Sequence, residues 1–151
     1  MPASSDPRTE VLAFFETRFG VNDALDGLHF IERNDELWAT SACPPPGLDA
    51  ERPAGLRILR RQPRGLKPTS VVLMLLGDRI TRSRVDVDRD ELRDLLLGQR
   101  IRTDTPIDDG PVALVHRGDV IGCGRLARGE LRALIPTGRR RELLGALDVP
   151  S

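Results

Sequence analysis

Gly110-Pro111-Val112-Ala113-Leu114-Val115-His116-Arg117-Gly118-Asp119-Val120-Ile121-Gly122-Cys123-Gly124-Arg125 is the stretch on which the architecture turns. Residues 111–116 are apolar and β-branched, Arg117-Gly118-Asp119 has turn composition, and residues 120–126 return in the same character. The segment therefore reads as a β-hairpin. Beyond it, residues 131–135 predict a further strand before Pro136, and residues 139–147 a short helix turning Leu143, Leu144 and Leu147 inward. Before it, residues 82–87 predict a strand and residues 88–98 a helix. Asp88 stands at the cap, acids fill the first turn, and Gly98 follows Leu92, Leu95, Leu96 and Leu97.

The N-terminal part opens with Asp6-Pro7 and then Val11, Leu12, Phe14, Phe15 and Phe19 at near-helical spacing, a helix over residues 9–19 ended by Gly20. Residues 29–33 and 36–41 flank Asn34-Asp35, a dipeptide that tolerates the left-handed conformation of a tight hairpin turn. Residues 42–54, with Pro44-Pro45-Pro46, Gly47 and Pro53, cannot pair continuously and read as a loop. Residues 55–61 suit a half-buried strand with Leu56 and Ile58 inward and Leu59 undecided. Residues 62–68 interrupt that strand, and residues 69–76 are a buried strand or a short core helix; periodicity does not choose. The fold class expected is α+β: an N-terminal helix and antiparallel strands packed on a C-terminal barrel-like sheet with short helices.

A chain of 151 residues, 39% hydrophobic, makes one domain or two small halves sharing a core. It buries enough surface to fold without metal or disulfides. The longest uncharged apolar run, residues 70–77, is far short of the ~20 residues a membrane span needs. Residues 1–10 carry Asp6 and Glu10 and lack the basic and apolar regions of a secretory signal. A cytoplasmic protein is expected. Cys43 and Cys123 have no histidine at metal-ligand spacing, so reduced structural thiols are expected and no cofactor.

The formal net charge of zero conceals segregation. Residues 1–51 hold three arginines against ten acids, and residues 52–84 nine basic residues against one aspartate. Residues 85–116 are acidic again, and residues 117–141 hold seven arginines against two acids. Local field, not net charge, governs contact with a polyanion, so the two basic segments are the candidate binding surface. Arg60, Arg61, Arg64 and Lys67 form one candidate rim; Arg125, Arg128, Arg139, Arg140 and Arg141 form the other. Gly122 and Gly124 fit either an uncovered backbone that a nucleic acid could approach or a tight sheet bend. With one Trp, four Phe and no Tyr, extensive base stacking is not expected, and Trp38 reads as core.

Little in the chain supports catalysis. His29 and His116 have no partner Ser, Cys or metal cluster and read as packed or rim residues. The aspartates around 86–90 and 108–109 lack the spacing of a calcium loop. Gly122-Cys123-Gly124 sits at a hairpin return and not at a strand-to-helix junction, so it does not read as a dinucleotide cradle. Ser41-Ala42-Cys43-Pro44-Pro45 superficially resembles the nucleophile segment of RNA cytosine methyltransferases. No cofactor-binding parallel sheet accompanies it, and a thiol without an activating base is inert.

Gly122, Gly124, Arg125, Gly129, Leu131, Pro136 and Arg140 nevertheless stand in the order found in PUA-like RNA-binding domains. The chain is similar there to the C-terminal region of the ribosomal-RNA cytosine methyltransferases. Residues 55–61, Gly65-Leu66-Lys67-Pro68-Thr69 and residues 90–101 resemble elements that precede and open that domain. The likeness covers about residues 55–141, and more loosely the N-terminal helix and hairpin, and it does not extend to the catalytic domain of the family. It implies a pre-PUA-like region over residues 1–78 and a PUA-like domain over residues 79–151. It further implies a protein that is not an enzyme but binds structured RNA, ribosomal or transfer, in RNA modification or ribosome biogenesis. The alternative is an accessory subunit docking on a separately encoded methyltransferase or ribosome-assembly factor.

Overall fold

The computed structural model describes residues 6–41 and 55–148. The loop expected over 42–54, including Cys43, lies outside the described residues. Helix α1 (Pro7–Phe19) starts where Pro7 pre-sets a helical φ, although Asp6 makes no side-chain cap bond, and it stops at Gly20, whose φ of 65° exposes its N–H to the carbonyl of Glu16. Val11, Phe15 and Phe19 form its buried stripe. Strands β1 (His29–Arg33), β2 (Glu36–Thr40), β3 (Leu56–Gln62) and β4 (Gly65–Pro68) follow as an antiparallel meander. Asn34 and Asp35 take φ of 50° and 63°, the primed turn their chemistry permits.

Three details differ from, or decide between, the readings above. Residues 62–68 do not merely interrupt a strand: Gln62 pairs with Gly65, and β4 completes a hairpin whose proline sits at the last position, where a missing N–H costs least. Ile58 and Leu59 are both buried because the register slips between Leu37 and Trp38, leaving Ile58 as a bulge. Trp38 is not core. It alternates with buried Leu37 and Ala39 and so lies half-buried on the opposite face of the sheet, between Ile31 and Arg57 on neighbouring strands.

Residues 70–76 resolve to helix α2 (Ser70–Leu76), because the Thr69 hydroxyl accepts the Val72 N–H at 3.3 Å and caps the first turn. The second sheet comprises β5 (Arg84–Asp86), β6 (Ile101–Arg102), β7 (Gly110–His116), β8 (Asp119–Ala127) and β9 (Glu130–Ala133), in the order β5-β7-β8-β9-β6. It is mixed, since β5 runs parallel to β7, and it is open, with β5 and β6 as edges instead of a closed barrel. Helix α3 (Arg89–Leu96) carries a full capping box between Asp88 and Glu91. Helix α4 (Thr137–Asp148) packs its half-buried Leu143, Leu144 and Leu147 beside α3.

The β7–β8 hairpin is covered on both faces, which is why its sequence runs apolar without alternation. Ala113, Val115, Val120 and Cys123 face the core shared with α1, α2 and the first sheet. Val112, Leu114, Ile121 and Leu126 face the core under α3 and α4. Gly122 and Gly124 fit this crowding: a Cβ would stand 2.7 Å from Ile135 at the first, and at the second 2.8 Å from Leu114 and 3.0 Å from the Arg132 carbonyl. Both glycines are buried, so close packing against Ile135 and Leu114 accounts for them, and neither expected role, an uncovered backbone or a sheet bend, is needed there. Burial pushes the Cys123 thiol up to about 12, leaving it a small packed hydrophobe.

Candidate functional site

The turn of the β3–β4 hairpin and the exposed side of the β8–β9 hairpin bring the two basic segments together. Arg60 lies directly opposite Lys67 across β3 and β4. Arg125 lies directly opposite Arg132 across β8 and β9. Like charges at directly opposed positions repel, so each pair opposes folding. Arg60, Arg64, Arg125 and Arg132 line one depression of about 500 Å³ between the two hairpins. Arg64, Arg100, Arg125, Arg128 and Arg132 line the next, of about 520 Å³, together with Asp109 and Glu130. Lys67, Arg100, Arg132 and Arg140 line a third of about 440 Å³. Shared residues join the three into one cationic groove.

Most of the cations lining this groove are unpartnered among the described residues, as are Arg33, Arg79, Arg102, Arg117 and Arg141 outside it. Among the described residues, Arg57, Arg61, Arg93 and Arg139 are ion-paired. Arg8, Arg18, Arg82, Arg84, Arg89 and Arg140 donate to backbone carbonyls. The side chains of Arg60, Arg64, Lys67, Arg100, Arg125, Arg128 and Arg132 make no hydrogen bond or ion pair with another described residue. Asp109 accepts the Arg128 backbone N–H at 3.1 Å and leaves that guanidinium unclaimed. Arg128 and Gly129 form the β8–β9 turn with φ of 54° and 80°, which holds the Arg128 side chain clear of the sheet.

Several residues expected at the site are placed otherwise. Arg61 lines the first depression but is engaged: it donates to both oxygens of Glu10 and to Glu32, joining α1, β1 and β3. Its hydrogen bonds hold the Glu32 carboxyl below the ordinary value of 4.5. The run Arg139-Arg140-Arg141 does not act as a unit, because successive helical residues point ~100° apart. Arg139 pairs with Glu142 at 3.2 Å. Arg140 donates to the carbonyls of Ile135 at 2.7 Å and Ala133 at 3.0 Å while still lining the groove. Arg141 is exposed on α4 and lines none of the three depressions. Arg100 and Arg132 were not among the expected residues. Arg132 was readable as outward, lying between inward Leu131 and Ala133; Arg100 follows the α3 terminus and precedes the unforeseen two-residue β6, and no pattern marks it.

The Arg61 cluster yields a pH-dependent prediction. Glu32 is depressed in the folded state, so its stabilisation is complete above the unfolded value near 4.5 and is lost as pH falls through the lower folded value. Arg61 and Glu32 are 31% and 35% exposed, so solvent screening limits the effect. Arg61→Ala is expected to cost about 1 kcal/mol at neutral pH, and the gap in melting temperature from the unaltered protein should narrow below pH 4.5. A gap constant down to strongly acid pH would show that the network contributes through packing alone.

Among the described residues no acid–base pair assembles around either histidine. His29 is exposed, and the half-buried His116 places Nδ1 2.9 Å from the Val87 carbonyl. The depression beside His116, about 200 Å³, is lined by arginines and aliphatic side chains and by no carboxylate. Among the described residues no helix is long and apolar enough to cross a membrane, and no group of His, Cys, Asp and Glu could hold a metal.

No curated protein sequence matches the chain. Residues 82–141 match the family described as the methyltransferase RsmF PUA domain. The match spans β5 to the start of α4 and contains Arg100, Arg125, Arg128 and Arg132, whereas Arg60, Arg64 and Lys67 lie outside it on the first sheet. Residues 82–141 are therefore similar to the PUA domain of the ribosomal-RNA cytosine methyltransferases.

Proposed function

We propose that this chain is a non-catalytic RNA-binding protein. It grips the phosphate backbone of structured RNA, ribosomal or transfer, in the groove between the β3–β4 and β8–β9 hairpins, in cytoplasmic RNA modification or ribosome biogenesis. The observation that carries the reading is convergence: hairpins of two different sheets gather Arg60, Arg64, Lys67, Arg100, Arg125, Arg128 and Arg132 along one groove, none of them with a protein partner among the described residues. Guanidiniums held side by side with no carboxylate paired to them among the described residues are accounted for by an anion that relieves their repulsion. The PUA-like match supports RNA as that polyanion. The groove draws on both sides of the match boundary, so residues 1–78 and 79–151 act together as a pre-PUA and a PUA-like unit on one ligand. Fluorescence anisotropy with a labelled ribosomal-RNA hairpin tests this. Binding should be clear at about 50 mM salt and fall on the order of a hundredfold by about 200 mM if roughly four phosphates are neutralised. Absence of binding at the lower salt would overturn the proposal.

A further inference from the structure

One recess of the groove is more than cationic. Between α1, the β3–β4 turn and the start of β7, a pocket of about 430 Å³ is lined by Phe14, Leu66, Pro111 and Leu126 together with Arg64, Arg125 and the carboxylate-bearing Asp109. Phe14 is the aromatic side chain that the grooves contain among the described residues. Edge-on contacts with Phe15 at 5.2 Å and Phe19 at 5.8 Å fix its ring, so little side-chain freedom is left to lose on contact with a ligand. Arg18 also lines the pocket and is held by the carbonyls of Pro111 at 2.7 Å and Asp108 at 2.8 Å, which pre-sets the plane of its guanidinium.

We propose that this pocket receives one unpaired nucleobase of the bound RNA, with its flanking phosphates on Arg64 and Arg125. The inference rests on the RNA-binding reading above. A fully paired stem keeps its bases stacked and offers the groove only phosphate and sugar, which would leave the half-buried Phe14 and Leu66 wet. An unpaired nucleotide joins a planar, largely apolar ring to an anion within one residue, the combination this lining matches. The volume is near the lower end of the ~300–1,000 Å³ typical of small-ligand sites, which suits one base with its sugar and not a strand. Guanidinium planes and aromatic rings both stack on bases whatever their identity, so shape and unpairing, more than sequence, are selected.

The test uses the full chain and three RNA hairpins with one stem: fully paired, with a single bulged nucleotide, and with an abasic residue at the bulge. The bulged hairpin should bind about tenfold more tightly than the other two, and 2-aminopurine at the bulge should change fluorescence on binding. Phe14→Leu, which keeps apolar volume but removes the ring, should bring the bulged and abasic hairpins to equal affinity. Leu66→Asp, at a half-buried position of the same pocket, should do so too if the first variant melts early. Equal affinity of the unaltered protein for bulged and abasic hairpins, with the paired stem still bound in a salt-dependent way, would overturn the pocket and leave the RNA reading standing. Binding to none of the three would overturn both. A tenfold preference surviving in both folded variants would likewise remove the base from this pocket.

Discussion

Changing Arg64, Arg125 and Arg132 together to glutamate is expected to weaken association with structured RNA by at least about a hundredfold at moderate salt. The three residues recur among the joined depressions, and none has a protein partner among the described residues, so their replacement breaks no internal ion pair. The variant should therefore fold, and its melting temperature should be little changed, because positions 125 and 132 still oppose like charges across β8 and β9 while attraction to Arg60, Arg100 and Arg128 is gained. The matched control is Arg79, Arg117 and Arg141 changed to glutamate, which alters net charge equally at exposed positions outside the groove that are unpaired among the described residues. Binding by that control should stay within about threefold, since exposed charges beyond a Debye length of ~8–10 Å are largely screened. Equal losses in the two triples would mean that overall charge, and not the groove, attracts RNA.

Gly124→Val is expected to cause the largest loss of stability of any single change considered. An added Cβ would meet Leu114 at 2.8 Å and the Arg132 carbonyl at 3.0 Å, and the latter is backbone that cannot rotate away. Gly124 pairs with Val112 on one side and Ala133 on the other, so retreat of β8 would break ladder bonds with both neighbours. Overpacking of a closed core costs typically ~1–3 kcal/mol, and the further two methyl groups of valine place this variant at or beyond about 3 kcal/mol. At ~2–4 °C per kcal/mol for a domain of this size, the melting temperature should fall by about 6–12 °C. Gly145→Ala should move it the opposite way, by about 1 kcal/mol of stabilisation, because Gly145 lies inside α4 with nothing within 4 Å of the added atom. Thermal melts of the two variants check both signs. A tolerant Gly124 would mean that β8 is not clamped as described.

The parts of the fold legible in the sequence were those whose local chemistry agrees with their tertiary setting. Asp88, with acids in the first turn, announces α3, Asn34-Asp35 announces its turn, and the apolar runs either side of Arg117-Gly118-Asp119 announce the β7–β8 hairpin. The short elements were not legible. Strand β4 is four residues ending in proline, and β6 is two residues paired only with Leu131 and Glu130; both exist because a neighbouring strand holds them. Trp38 misleads because size suggests core, whereas alternation with Leu37 and Ala39 sends it to the other face.

The site was half legible for a related reason. Sequence located the basic segments but could not show how each cation is partnered. Arg61 sits one position from Arg60, yet two carboxylates from α1 and β1 consume it, and both partners are distant along the chain. Arg139 and Arg140 are claimed by contacts that exist only once α4 begins after Ile135. Glycines 122 and 124 fit two roles equally until Ile135 and Leu114 are seen packed against them. Motif order found the domain, while the surface depended on packing between strands far apart in sequence.

The most direct measurement of the central claim is the slope of log affinity against log salt for one RNA hairpin, taken for the unaltered protein, Arg125→Gln and Arg61→Gln. Arg125 has no partner among the described residues and lines the groove, so its loss should flatten the slope by about 0.9, one phosphate's share. Arg61 is held by Glu10 and Glu32, and its loss should leave the slope as it was. An unaltered slope for Arg125→Gln, or a flattening for Arg61→Gln of the same size, would contradict the account.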